Sequence, residues 1–248
     1  MGSASVKAEP RPAFYALEPG GWRDYVTLLH PPYTLWHISY VAIGAALAPT
    51  VPVERLLWGL VAFLLALGVG AHALDELNGR PLRTAISDRT LIVLAVGSIG
   101  GAAAIGLFAV FAWTLLLLPF VAFGTFIVLA YNLELFGGRF HSDRWFAVAW
   151  GAFPVLTGYV GAAETLRLEA LLAGAFAAFL SLAQRHLSTR VRTIRRRTDR
   201  VSGTIVFTDG REEALTREDL VRAPEAALRA LAWAIVALAL ALLVLRFR

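Results

Sequence analysis

The chain has 248 residues, of which 58% are hydrophobic and 17% charged, and its mean hydropathy is +0.64. A soluble domain is nearer about 45–50% apolar and about 25% charged, so an ordinary soluble enzyme or adaptor is excluded. There is no cysteine, which rules out disulfides, thiolate metal sites and a catalytic thiol. The net charge of +5 is almost wholly arginine, since Lys7 is the only lysine. In so apolar a chain that excess reads as topology and attraction to anionic lipid, with no nucleic-acid partner implied.

Met1 to Ser5 read as a small-residue leader, and not as a signal peptide, because no apolar core follows before Phe14. Residues 6–20, with Pro10, Pro12, Gly20 and Gly21, are expected to be disordered or surface-bound, so that 1–21 form a flexible N-terminal segment. The amphipathic run Trp22 to Leu29 suits the membrane interface. About 20 apolar residues make one helical crossing. Seven such stretches follow, at about 34–51, 54–75, 90–110, 112–132, 145–163, 167–185 and 226–245. The third and fourth are separated only near Phe111, Ala112 and Trp113. Trp22, Trp36, Trp58, Trp113, Trp145 and Trp233 fall near the ends of these stretches, as an aromatic belt does. Pro154 should kink the fifth helix and free a carbonyl for a neighbour to satisfy. Between Arg200 and Arg222 apolar and polar residues alternate about Asp209-Gly210, the signal of a two-residue hairpin. An isolated hairpin is marginal in water, so this one is expected to pack on the membrane domain or on a partner. Gly97 and Gly101 form a GxxxG pair that suits close packing within the chain as well as dimerisation.

The expected fold is therefore an all-α polytopic membrane protein of about seven transmembrane helices with a small cytoplasmic β-hairpin. Residues 22–185 carry the first six helices, 186–223 a basic cytoplasmic loop with the hairpin, and 224–248 the last helix. With the amino terminus inside, the inside segments hold nineteen Lys and Arg residues, and only Arg55, Arg167, Arg246 and Arg248 lie outside. That asymmetry places the N-terminus in the cytoplasm, in what reads as a bacterial or archaeal plasma membrane. Arg246 and Arg248 at the outer end are the minor conflict. Three polar clusters then share the cytoplasmic face: His72 to Arg89, Tyr131 to Arg144, and Gln184 to Arg200.

In the first cluster His72, Asp75 and Glu76 stand at i, i+3 and i+4, so a helix presents them on one face. Ionisable groups at membrane depth mark sites by default; the other reading is that the two acids cap the helix at the headgroups. A carboxylate pair suits Mg²⁺, which binds one or two carboxylates together with substrate phosphates. Asn78, Arg80, Arg83, Asp88 and Arg89 follow, and arginine pairs bidentately with phosphate, though each of these arginines also serves topology. In the second cluster Asn132 and Glu134 emerge from a helix end, and Gly137-Gly138 permits a tight turn before Arg139. His141 and Asp143 read either as a second metal site or, for Asp143, as an N-cap. The third cluster, with Gln184, Arg185, His186, Ser188, Arg190 and Arg192, is a loop positive enough to attract anionic lipid or a diphosphate headgroup, or simply a topological anchor. His37, with His72 and His186, could form a histidine site for metal or haem, but no ligand spacing supports it.

The ordered set of segments resembles the UbiA superfamily of intramembrane prenyltransferases. His30-Pro31-Pro32-Tyr33-Thr34-Leu35-Trp36, ending in Gly44-Ala45-Ala46-Leu47, is similar to that family's first-helix RPxTL…GxxLA run. The second helix ends where the family carries its first aspartate motif, NDxxDxxxD, followed by a basic RPL segment. Here Ala71 and His72 replace the Asn-Asp, Asp75 is kept, Gly79 replaces the last aspartate, and Arg80-Pro81-Leu82 follows early. Tyr131, a basic turn, and Trp150-Gly151-Ala152-Phe153-Pro154-Val155-Leu156-Thr157-Gly158 resemble the family's Y…LKR…G…P…G stretch. The likeness covers about residues 28–185 and rests on the order of the motifs. Two departures stand out. The family's second aspartate motif, after the sixth helix, gives way here to Gln184, Arg185, His186 and Ser188, and seven helices are counted where the family typically has nine.

The resemblance implies ionisation of a prenyl diphosphate and transfer of the prenyl group to an acceptor, with Mg²⁺ held by Asp75 and Glu76. Tyr131 joins those two acids as a candidate catalytic group. His72, Asn78, Arg80, Asn132, Glu134, Arg139, Arg185 and His186 are the candidate contacts to the substrate. The partners implied are a prenyl diphosphate or other isoprenoid lipid and the membrane lipids. The alternative is a catalytically degenerate relative that binds lipid or acts as a scaffold.

Overall fold

A computed structural model describes residues 11–248. Eight helices and one two-stranded sheet follow in chain order: α1 (Trp22–Leu28), α2 (Pro31–Leu47), α3 (Val53–Leu77), α4 (Asp88–Ala112), α5 (Leu115–Asn132), α6 (Asp143–Ala163), α7 (Leu168–Arg197), β1 (Thr204–Val206), β2 (Glu212–Ala214) and α8 (Arg217–Arg246). Six of them, α3 to α8, are long and apolar enough to cross a bilayer, which is the arrangement of a multi-pass membrane protein. Their outward faces carry bare aromatic and aliphatic side chains: Phe111 is 82% exposed and Phe179 73%. On helices of this length and composition such surfaces suit lipid.

The first expected crossing is α2, shorter than the rest at 17 residues, or about 25 Å. It stops at Leu47 because Pro49 forces Ala48 into an extended conformation (φ −64°, ψ 152°). Eleven of its positions are buried, including Trp36 and Tyr40, so α2 is the central post of the bundle. It packs most closely on the second half of α6 and on α8. The α2–α6 crossing is a backbone-to-backbone contact. A Cβ placed on Gly44 would fall 2.0 Å from the Val155 carbonyl oxygen, and one on Gly158 would fall 2.2 Å from that of Val41. Small residues let membrane helices approach this closely. Gly97 has open space around it, so packing within the chain does not account for it.

Pro154 acts as the sequence indicates, with a particular partner. Proline has no N–H to give the carbonyl four residues back, that of Trp150. The helix widens into a π segment over Ala147–Ala152. The Trp150 carbonyl accepts instead from His37 Nδ1 at 2.8 Å. A second π segment, Leu64–Ala71, lies in α3 just before His72.

Two boundaries differ from the sequence reading. The expected loop after residue 185 is helix to Arg197, because no Gly or Pro interrupts it and Val191 and Ile194 bury one apolar face. The last helix begins at Arg217, not 226, started by a capping box between Thr216 and Asp219. Arg195 of α7 ties these ends together through the buried Glu225 of α8 at 2.5 and 2.9 Å. Only 198–216 remain outside the helices, and the β1–β2 hairpin there is antiparallel with Ile205 opposite Glu213. All six strand residues are exposed, so the packing expected of the hairpin on the membrane domain is absent among the described residues. Residues 11–20 are docked, not loose: Leu17 N–H donates to Thr27 Oγ1 at 3.0 Å and Gly20 N–H to Asp24 Oδ1 at 2.9 Å. The leader at residues 1–5 lies outside the described residues.

Gly158→Ala is expected to destabilise the fold by about 1–3 kcal/mol through overpacking, read as a lower thermal midpoint in detergent. Gly97→Ala, with room for its methyl, should not lower it. An undiminished midpoint for Gly158→Ala would refute the crossing as described.

Candidate functional site

On the face that carries the basic segments, a cavity of about 770 Å³ opens between the ends of α3, α5 and α7 and beneath residues 12–15. His37 and Trp150 line it from the bundle side, and Tyr15 and Phe14 from the N-terminal strap. The sequence places its walls. In α7, Arg185, Ser188, Arg192 and Arg196 recur at helical spacing, so all four line the cavity. From α3 come His72 and Asp75, with Asn78, Arg80 and Arg83 following in the loop; from α5 come Tyr131 and Asn132, with Glu134 just beyond. Thus His72, Asp75, Asn78, Arg80, Tyr131, Asn132, Glu134 and Arg185 share one cavity, whereas Glu76, Arg139 and His186 stand outside it.

Glu76 departs from its expected part as a metal ligand. It is 0% exposed and turned into the 78–87 loop, where Oε2 accepts from Leu82 N–H at 2.9 Å. Its Oε1 accepts from Thr84 N–H and Thr84 Oγ1, both at 2.9 Å. One helical step therefore separates a structural carboxylate from a cavity-facing one. Asp75 has no hydrogen bond or ion pair among the described residues and looks across at the arginines of α7. Asp24, which the sequence reading passed over, works like Glu76. It is buried and its Oδ2 accepts from Ala85 N–H at 3.0 Å, pinning the same loop to α1. Its signal is an acid in an amphipathic helix otherwise suited to a membrane surface.

Arg80 lines the cavity, yet its guanidinium is occupied by the Thr84 and Ile86 carbonyls and by Asp88. Arg139 is exposed on the α5–α6 turn. His186 is largely exposed, with Nε2 3.6 Å from Asp143. Ser142, not Asp143, caps α6, and Asp143 accepts from Arg185 Nε at 3.1 Å. His141 Nδ1 bonds the Tyr131 carbonyl at 3.0 Å, and its ring stacks on Tyr131 at 4.4 Å. Trp150 covers the phenol's other side at 4.5 Å. The histidines do not converge as a metal or haem site would require. His37 is bound to Trp150, His72 Nδ1 bonds the Gly68 carbonyl at 3.1 Å, and His186 lies outside the cavity.

Three buried polar atoms around this cavity have no partner among the described residues: Tyr131 Oη, His30 Nε2 and Gln184 Oε1. Such atoms are rare in a finished fold, because each carries a desolvation penalty unless something meets it. Of the α7 arginines, Arg192 donates to Thr189 Oγ1 and Arg196 to the Pro12 carbonyl, and among the described residues neither has a carboxylate partner. The donor set fits an anion well and a divalent cation poorly. Among the described residues Asp75 is the acid that faces these arginines, while Glu134 sits at the rim with its side chain half-exposed near His141. Among the described residues no three histidine or acidic side chains converge.

His30 forms part of the roof. It takes a left-handed backbone conformation (φ 45°), stacks on His72 with centroids 4.0 Å apart, and meets the Tyr15 hydroxyl through Nδ1 at 3.0 Å. Burial holds its imidazole well below the usual histidine range, and the fields of His72, Arg196 and Arg192 act in the same direction.

Comparison of the chain with protein-family models, curated proteins and solved structures gives no match.

Two outcomes follow from this geometry. Glu76→Gln places an N–H₂ where both oxygens accept, and should lower stability by about 2–3 kcal/mol, whereas Asp75→Asn should leave the thermal midpoint in place. Equal losses would mean that the two acids have been assigned wrongly. For His30 the unfolded chain takes up its proton near about pH 6.5, while the folded chain does not. Stability should therefore fall as pH drops below that value. His30→Gln should flatten this slope in thermal melts between pH 7.5 and 5; an unchanged slope would contradict the buried neutral ring.

Proposed function

We propose that this chain is a UbiA-like integral membrane prenyltransferase whose basic cavity takes the diphosphate head of an isoprenoid lipid and passes the prenyl group to an acceptor. The observation that carries the reading is the α7 arginine stripe facing Asp75 across a cavity with three unpartnered buried polar atoms. Guanidinium groups match phosphate oxygens in geometry and charge. In this reading Arg185, Arg192 and Arg196 hold the head and take up the charge that grows on it as the allylic C–O bond breaks, the bonding pair leaving with the diphosphate. The faces of Trp150 and Tyr131 suit the allylic cation left behind. The acceptor's nucleophile attacks that carbon, and Asp75, a carboxylate with no other partner among the described residues, would receive the acceptor's proton. Trp150 also lines a smaller apolar cavity of about 130 Å³ together with Phe63, Leu67, Ile127 and Phe153, on the side where a prenyl chain would run.

A second reading is favoured by one observation, the withdrawal of Glu76 into the loop and away from Asp75. The protein would then bind an isoprenoid phosphate without turning it over.

Farnesyl and geranylgeranyl diphosphate, offered to the purified protein with Mg²⁺ and a set of aromatic acceptors, separate the two. Diphosphate release that drops at least tenfold in both Arg192→Ala and Asp75→Asn supports transfer. Saturable binding with no release from any pairing supports the second reading. Absence of both binding and release overturns the two together.

A further inference from the structure

We propose that the anion taken by this cavity is held by guanidinium groups alone, without a divalent cation. The inference rests on the reading of the cavity as a site for a phosphate-bearing lipid head. It concerns what neutralises that head.

The charges around the cavity run against a metal. Mg²⁺ needs near-octahedral oxygen ligands, and carboxylates anchor it even where substrate phosphates complete the shell. Among the described residues the cavity wall supplies Asp75 and, at the half-exposed rim, Glu134. Glu76, the natural companion of Asp75, has both oxygens occupied by Leu82 and Thr84. A cation beside Asp75 would instead face Arg185, Arg192 and Arg196, and like charges repel. The same three arginines are what an anion requires. Among the described residues Arg192 and Arg196 have only neutral partners, and Arg185 meets Asp143 through Nε. Tyr131 Oη adds a buried hydroxyl without a partner on the same cavity. The ligand class is thus a lipid phosphate or diphosphate recognised by arginine forks and a phenol. Asp75 is then a like charge to the bound head, the opposite of a metal ligand.

That reversal of sign gives the test. The full-length protein in detergent is titrated with farnesyl diphosphate in excess EDTA and, separately, in millimolar MgCl₂; inorganic diphosphate is run beside it as the head without a chain. The expected result is an affinity in EDTA within about threefold of that in Mg²⁺. Arg192→Ala and Arg196→Ala should each weaken binding roughly tenfold or more, and Asp75→Asn should tighten it several-fold in EDTA. Thermal midpoints of the variants establish that each is folded. Binding that appears only with Mg²⁺ and is lost in Asp75→Asn overturns the inference while leaving the cavity as the site. No binding in either condition overturns the reading of the site itself. Inorganic diphosphate binding at least tenfold more weakly than farnesyl diphosphate supports a lipid ligand, and equal binding overturns that part.

Discussion

In hydrocarbon no water is available to satisfy a freed backbone group, so a proline in a membrane helix must be answered by a neighbour. The bundle is arranged around one such answer. Pro154 leaves the Trp150 carbonyl without its helical donor, and His37 of α2 supplies the hydrogen bond at 2.8 Å. That bond is within reach because Gly44 and Gly158 let the α2 and α6 backbones touch. The consequence extends to the site. His37 and Trp150 become the inner wall of the cavity, Trp150 braces Tyr131, and the Tyr131 hydroxyl is left buried and open to a ligand. One missing N–H thus fixes where the cavity ends and the apolar interior begins.

The mouth of the cavity is organised by buried acids that take no part in its lining. Glu76 and Asp24 gather the backbone N–H groups of the 78–87 loop. Arg80 closes the same loop from the other side through the Thr84 and Ile86 carbonyls. Buried carboxylates hold their place only when their lone pairs are met in this way. With the loop set, Asp75 is left as the carboxylate that faces open space. At the opposite wall α7 runs about 45 Å, further than the membrane needs, and its extra turns carry the arginines over the cavity. The Arg195–Glu225 pair holds those turns against α8, so the stripe is presented by a braced helix.

Much of this was legible beforehand. Runs of apolar residues gave the spans α3 to α8, and the three polar clusters gave one shared face; the Asp209-Gly210 signal gave the hairpin but not its turn, since residues 207–211 connect the strands where two were expected. The gathering of His72, Asp75, Asn78, Tyr131, Asn132, Glu134 and Arg185 was readable because each stands at the same end of its span, and loops at one end of a bundle have to meet. The extension of α7 was also open to reading, since Leu187, Val191 and Ile194 recur at helical spacing. The density of arginines there suggests a loop more strongly, because charge and membrane crossing are incompatible while charge and helix are not. The separate parts of Asp75 and Glu76 were not readable, nor was the role of Asp24. Adjacent residues on a helix differ by about 100° in direction, and which of the two meets the loop depends on how that loop folds back.

By itself the sequence determined the class of the molecule, the order of its spans and the sides on which charge gathers, because these follow from how much hydrocarbon and how much charge each local stretch carries. Tertiary structure alone decided which carboxylate is structural and which is free, which arginines keep their donors unclaimed, and that His37 serves a backbone carbonyl in place of a ligand. Those outcomes depend on partners far apart in the chain, such as residues 37 and 150 or 24 and 85, and only packing brings such groups within hydrogen-bonding distance.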